Sequence, residues 1–552
     1  MTRQVARNDL QLPGLTASGS QRYVRPYTRV GLSVYPHSGD PVFPNRSTDA
    51  IDIDWRDNKH GAILTGLRWQ KALGGSSGNW VATIMTRSGG LNVQQGAILG
   101  GDWVDLAVNR NGVVIPLCRG IVDTVNRDQQ AAGGAGVERW ILTGRDHGAC
   151  FDSPMSYSNM FVHTLREIVK GIFTERVGGR IGGSPRAMFD ILLRAAFERG
   201  TRAAMWKLPD SMLRRSSLSG RAANRQPSEV VLKELFSDTS AIEKVASHLH
   251  DILGVKRGAT RGGYYNEPVL WHQAGQTVHQ TISEWCNPLL NEIIYDLAVS
   301  GDYPESGPAT ARIQAMIRER PFVLTDDSLA FGLSNYVGLE STAPSSLDAF
   351  APEGIDTGLQ SPWFKLPTWD IPMWVFQDSN VARSNAERFN LFELIADLGF
   401  GGTKEEQQAA APPSWDYDSV ERHGLKPMME STKYLAGVNG KNAMAGWVTA
   451  RRDWQKLLVQ WHCLNPYLWS GTATSRLAMP EIRVGHRLRI LNSNDIADAM
   501  TFYVEGVSLD YQMTRNGPAS KMDFTLTRGW TGSDRSLVDA TARAYAEFEA
   551  QQ

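Results

Sequence analysis

The chain has 552 residues, 42% hydrophobic and 21% charged, which exceeds one compact core and suggests about three or four domains. Its 57 Lys and Arg against 58 Asp and Glu leave no overall field to draw in nucleic acid or an anionic membrane. Cys118, Cys150, Cys286 and Cys463 form no C-x-x-C pair, which excludes a disulfide framework and a zinc ribbon; they read as buried free thiols.

Residues 1–27 are polar and aperiodic and read as an N-terminal arm. MTRQVARNDLQLPGL has no apolar core of a secretory signal, and no apolar run reaches about 18 residues, so neither export signal nor transmembrane helix is expected. From 28 to 150 the period is two. In IDIDWRD, Ile51, Ile53 and Trp55 alternate with Asp52, Asp54 and Arg56. Further strands are expected at 62–73, 79–87, 101–110, 113–128 and 139–146, with Asn-Gly in NRNGV marking a hairpin. Short strands with frequent turns predict an antiparallel barrel or sandwich.

From 151 to 284 the period becomes helical, as in Leu165, Ile168, Val169 and Ile172, around an exposed basic loop at 213–228. Strands return at 291–302 and 309–322. In RSNAERFNLFELIADL, Ser384 and Glu387 have capping-box spacing, and one helical turn followed by a strand is expected. Residues 399–476 read as a mostly helical insertion, with an apolar stripe of Trp447, Ala450, Trp454, Leu457, Leu458 and Trp461. Residues 477–530 supply three closing strands, and 531–552 a terminal helix.

No constellation has the spacing of a reaction centre. His248 and His250 of HLHD diverge on a helix, as do the adjacent His462 and Cys463. DIDWRDN departs from a calcium loop at Arg56 and Asp57. Asp146, His147, Cys150 and Asp152 are near-consecutive, whereas a nucleophile and its base usually come from different elements. GGRIGGSPR lacks the lysine of a phosphate loop. In TFYVEGVSLDYQMTRNGPASKMDFTLTRGW, residues 501–530, the charges fall at period two, as on the wet side of a half-buried hairpin. Glu505 breaks the pattern by sitting on the apolar face with Tyr503, Val507, Leu509 and Tyr511.

Three ordered stretches resemble a known family. GDWVDLAVNRNGVVIPLCRGIVDTVNRD followed by WILTGRD resembles the N-terminal barrel of bacteriophage baseplate hub proteins. NEIIYDL followed by IRERPF resembles a strand pair of that family, and SNAERFN a short motif before a second-barrel strand. IRVGHRLRI, FYVEGVSLDY and FTLTRG resemble its closing strands, with Leu509 where relatives often carry a polar residue.

The resemblance implies two related β-barrels per chain and three chains closing a ring that adapts a sixfold tail tube to a threefold spike or needle. It implies a virion-tail protein assembled in the host cytoplasm, not an enzyme, with no cofactor or metal. The partners are copies of itself, the tube ring, the spike, the tape measure protein and other baseplate proteins. DNA would pass the lumen without specific binding, and no membrane insertion is expected. The expected fold is mixed and mainly β: a first barrel at 28–150, a helical insertion at 151–284, and a second barrel split between 285–398 and 477–530. Candidate interface residues are Glu505, Asp510, Arg318 and Arg320. Alternative readings are a tail-associated cell-wall hydrolase and a receptor- or carbohydrate-binding tail protein.

Overall fold

The computed structural model describes residues 28–54, 60–87, 90–110, 113–128, 137–152, 291–299, 311–319, 366–396, 414–415, 417–432, 465–491 and 500–531, with isolated positions at 209, 211–212, 277, 279–280, 283, 458 and 462. The expected arm, the terminal helix and nearly all of the 151–284 insertion lie outside the described residues. So does the helix expected at 442–465, apart from Leu458, His462 and Asn465, the first two of which are helical.

The first strand set comprises β1 (Thr28–Tyr35), β2 (Ile51–Asp54), β3 (Ala62–Ala72), β4 (Asn79–Arg87), β5 (Trp103–Arg110), β6 (Val113–Asp128) and β7 (Val137–Asp146). Alternation drives them: Val30 and Leu32 of β1, and Leu67 and Trp69 of β3, are buried while their neighbours are not. β5 and β6 pair outward from Arg110 and Val113, so the expected Asn-Gly pair is their link. A buried 3₁₀ turn, His147–Asp152, follows β7.

Next come β8 (Asn291–Val299) and β9 (Ala311–Glu319), an antiparallel ribbon of their own. β10 (Thr368–Pro372) leads through a 3₁₀ turn at Met373–Val375 to β11 (Phe376–Ala382). As the Ser384 spacing predicts, a 3₁₀ turn at Asn385–Glu387 then opens with the Ala386 N–H donating to Ser384 Oγ, and β12 (Leu391–Ala396) follows. β12 pairs β13 (Ser414–Trp415) and, in parallel, β14 (Pro427–Thr432), with α1 (Tyr417–His423) between those two in sequence. The Asn390 side chain ties this small sheet together, donating to Gly424 O and accepting from Lys426 N. Within 399–476, read as mostly helical, the described residues thus include strands, because Met428 and Glu430 alternate in burial with Met429.

β15 (Trp469–Ser475), β16 (Arg487–Leu491), β17 (Met500–Thr514) and β18 (Gly517–Thr531) complete the described elements. β17 and β18 form the hairpin expected at 501–530. Its turn is Arg515-Asn516, and Gly517 takes φ 102°, a conformation that favours glycine.

The fold is mainly β, and both strand sets run into one 13-stranded curled sheet. Its path is β11-β15-β18-β17-β3-β4-β7-β6-β5-β1-β2, with β16 on β17 and β10 on β16. β2 returns alongside β3, curling the first set toward closure. A single apolar cluster runs through both sets, from Leu64, Trp69 and Trp80 to Leu488, Phe502 and Phe524.

Candidate functional site: the seam between the strand sets

The two sets meet where β17 pairs β3 antiparallel, from Gly506 opposite Ala72 to Gln512 opposite Gly66. Apart from Lys71, opposite Val507, inward side chains at this seam are apolar: Leu509 faces Trp69, and Tyr511 faces Leu67. Outward, Asp510 faces Arg68 and forms an ion pair at 3.1 Å across 442 residues of sequence.

Glu505 sits at the end of the same seam. The β17–β18 register passes from Val504 to Gly506, so Glu505 is the extra residue of a β-bulge. A bulge inverts the alternation, which is why Phe502 and Val504 are core residues before it, and Val507 and Leu509 after it. The acid therefore occupies no core position. Its carboxylate accepts from Thr527 Oγ1 at 2.9 Å, and its carbonyl accepts from the Leu73 N–H of the first set at 2.7 Å. Arg318 lies on β9 opposite Glu292 in register, and Arg320 lies outside the described residues.

Behind the seam lie buried polar groups, some of which join the two sets; sequence reasoning missed them, because their partners lie 75 to 371 residues apart. Arg110 of β5 pairs with Glu481 and also donates to Ala478 O at 3.1 Å. Arg483 donates to the carbonyls of Pro116 and Leu117 on β6 and reaches Asp296 of β8 at 3.4 Å. Tyr503 of β17 donates to buried Glu292 of β8 at 2.7 Å. Lys71 of β3 pairs with Asp146, and both side chains are at most 3% exposed. Such pairs add little net stability when intact, but each strongly disfavours separation that leaves one partner alone.

The outward face of the sheet from β11 to β6 is continuous across the seam. Register places Thr472, Thr525, Ser508, Gln70, Thr83 and Thr143 on it, with Ile63, Met85 and Ile141 interspersed. Among the described residues, four cations of this face are matched in place: Arg68 with Asp510, Lys521 with Asp523, Arg145 with Asp123, and Arg139 with Asp128, at 2.8–3.4 Å.

The groups resembling a nucleophile and base are inert. Burial pushes the Cys150 thiol up to about 12 and the His147 imidazole down to about 3, so the thiol stays protonated and the ring neutral. Cys118 is likewise raised well above its usual range by burial. Among the described residues no group of three or more His, Cys, Asp or Glu could hold a metal ion, and no helix is long and apolar enough to cross a membrane.

No family model and no curated protein matches the chain. Among solved structures it is similar to a tail protein from Neisseria meningitidis, at TM-score 0.37 and 10% identity over 93% of this chain and 99% of that one. It is similar also to a tail protein of prophage MuSo2 from Shewanella oneidensis, at TM-score 0.37 and 10% identity over 93% and 98%. A third similarity is to a chain of the Francisella PdpA–VgrG complex, at TM-score 0.38 and 9% identity, over 92% of this chain and 53% of that one.

Proposed function

We propose that the protein is a structural hub of a phage tail: a homotrimeric ring that joins the sixfold tail tube to the threefold central spike and leaves a channel for the tape measure protein and DNA. The observation that carries this reading is the seam. Two strand sets from distant parts of the chain lie side by side in one sheet, which is the unit from which a ring with twice as many lobes as chains is built. The ordered hub-like motifs fall within the two sets that meet there: the first on β5–β7, the last on β16–β18. Buried cross-set ion pairs suit a part that must transmit load without its halves parting. The charge-matched outward face suits a wall past which a polyanion moves. Contact with other baseplate proteins falls to the peripheral segments, and assembly takes place in the host cytoplasm.

The test is to express the full chain and measure its mass in solution, then image it with and without tail tube protein. A three-chain ring with six lobes, capping tube ends, is expected. A chain that remains monomeric at all concentrations and clears peptidoglycan in a gel would sink the proposal.

A further inference from the structure

The two strand sets are built alike around their inner strands. In the first, Gly101 at φ 91° donates to Val122 O at 2.7 Å, and the Val122 N–H donates to Asp102 O at 2.9 Å. In the second, Gly485 at φ 81° donates to Val504 O at 2.8 Å, and the Val504 N–H donates to His486 O at 3.0 Å. The next residue is in each case an acid extruded as a bulge: register passes from Val122 to Thr124 on β6, as from Val504 to Gly506 on β17. Each bulged acid bonds the neighbouring strand. Asp123 accepts from Arg145 of β7 at 2.8 Å, and Glu505 from Thr527 of β18 at 2.9 Å. In sheet order, β5-β6-β7-β4-β3 thus corresponds to β16-β17-β18-β15-β11.

The correspondence lacks one contact. Past its bulge, β17 pairs β3. Past its own bulge, β6 has β7 on one side and, among the described residues, no strand on the other, because pairing with β5 ends at Ile121. β11 is the counterpart of β3, and it too has no strand on its outer edge among the described residues. Open edges of this kind are templates for pairing with another chain. These two are the counterparts of edges that already fit each other inside the chain.

We infer that β6 beyond its bulge pairs antiparallel with β11 of a second copy, in the register of the internal seam. The register carries over residue by residue. Thr124 corresponds to Gly506, so Asp128 corresponds to Asp510 and Asn126 to Ser508. Val81, opposite Thr143, corresponds to Thr472, opposite Thr525; Arg68 therefore corresponds to Asn380, and Gln70 to Ala382. The seam pairs Asp510 with Arg68 and Ser508 with Gln70. The contact between copies then pairs Asp128 with Asn380 and Asn126 with Ala382. Such a head-to-tail contact closes a ring when its rotation divides a full turn. The inference rests on the proposed ring and names the edges that close it.

The test uses the full-length chain carrying Asn126→Cys and Ala382→Cys, both exposed positions, with Cys118 and Cys150 buried. Directly opposed antiparallel residues stand about 4.5–5.5 Å apart, within disulfide reach. Oxidation is expected to give covalent species up to a three-chain band, abolished by reductant, with a second register pair, Asp128→Cys with Asn380→Cys, behaving alike. Each single variant, and the offset pair Asn126→Cys with Asn380→Cys, should cross-link several-fold less. If the doubly substituted chain forms trimers by mass yet neither opposed pair cross-links, this edge assignment is wrong while the hub reading stands. If wild type and variants alike stay monomeric, both fail.

Discussion

His147 shows how one buried side chain gives the protein an acid limit. Burial and the neighbouring Lys71 hold its pKa near 3, against opposition from Asp296. Unfolded, the ring titrates near its ordinary value of about 6.5. Between those values the unfolded chain binds a proton that the native chain refuses, so stability falls as pH drops from about 6 towards 3. Burial lowers His37 and His279 in the same direction, so they add to the trend. A His147→Gln variant is expected to flatten this acid dependence relative to wild type, read as the difference in denaturant midpoint between pH 7 and pH 4. An unchanged slope would remove His147 as a cause.

Among the elements, the seam separates interactions that look alike on paper. Arg68–Asp510 is solvent-exposed, with the Arg68 side chain 65% accessible, and exposed pairs contribute about 0–1 kcal/mol. Arg110–Glu481 is buried, and removing one partner strands a charge, at a cost of about 3–5 kcal/mol. Asp510→Ala should therefore leave chemical denaturation nearly unchanged, whereas Glu481→Ala should lower the midpoint sharply; equal effects would contradict this ranking. The same contrast marks what the sequence discloses. The β17–β18 hairpin is legible because its alternation and turn are local. The bulge at Glu505 appears in the sequence only as an acid in an apolar row. Its partner across the seam, the Leu73 N–H that donates to its carbonyl, comes from more than four hundred residues away. The role of Arg483 was beyond reach for the same reason: its acceptors are backbone carbonyls of Pro116 and Leu117, which no side-chain pattern announces.

For the whole molecule, the outward face of the sheet makes a claim about traffic. Phosphates bind to cations that are free to exchange counterions, and on this face Arg68, Arg139, Arg145 and Lys521 are already matched by carboxylates. Converting Asp123, Asp128, Asp510 and Asp523 together to Asn should leave the fold intact and raise affinity for duplex DNA about tenfold or more at low salt. That gain should vanish as salt increases. Filter binding across a salt series checks it; a folded variant with no gain would show that the pairing does not govern phosphate contact.

The place of β17 near the end of the chain also has a cost in time. The strands of the first set are complete by Asp146, but the strand that covers the edge of β3 begins pairing it only at Gly506. At about 5–20 residues per second, a ribosome needs roughly 20–70 s to make the intervening stretch. Throughout that interval a nascent chain carries an open strand edge, and neighbouring nascent chains on one message carry the same edge. Arg68 and Lys71 lie on it, and charge on an exposed edge discourages pairing with a wrong neighbour. The residues that later join the two halves thus also serve as guards during synthesis.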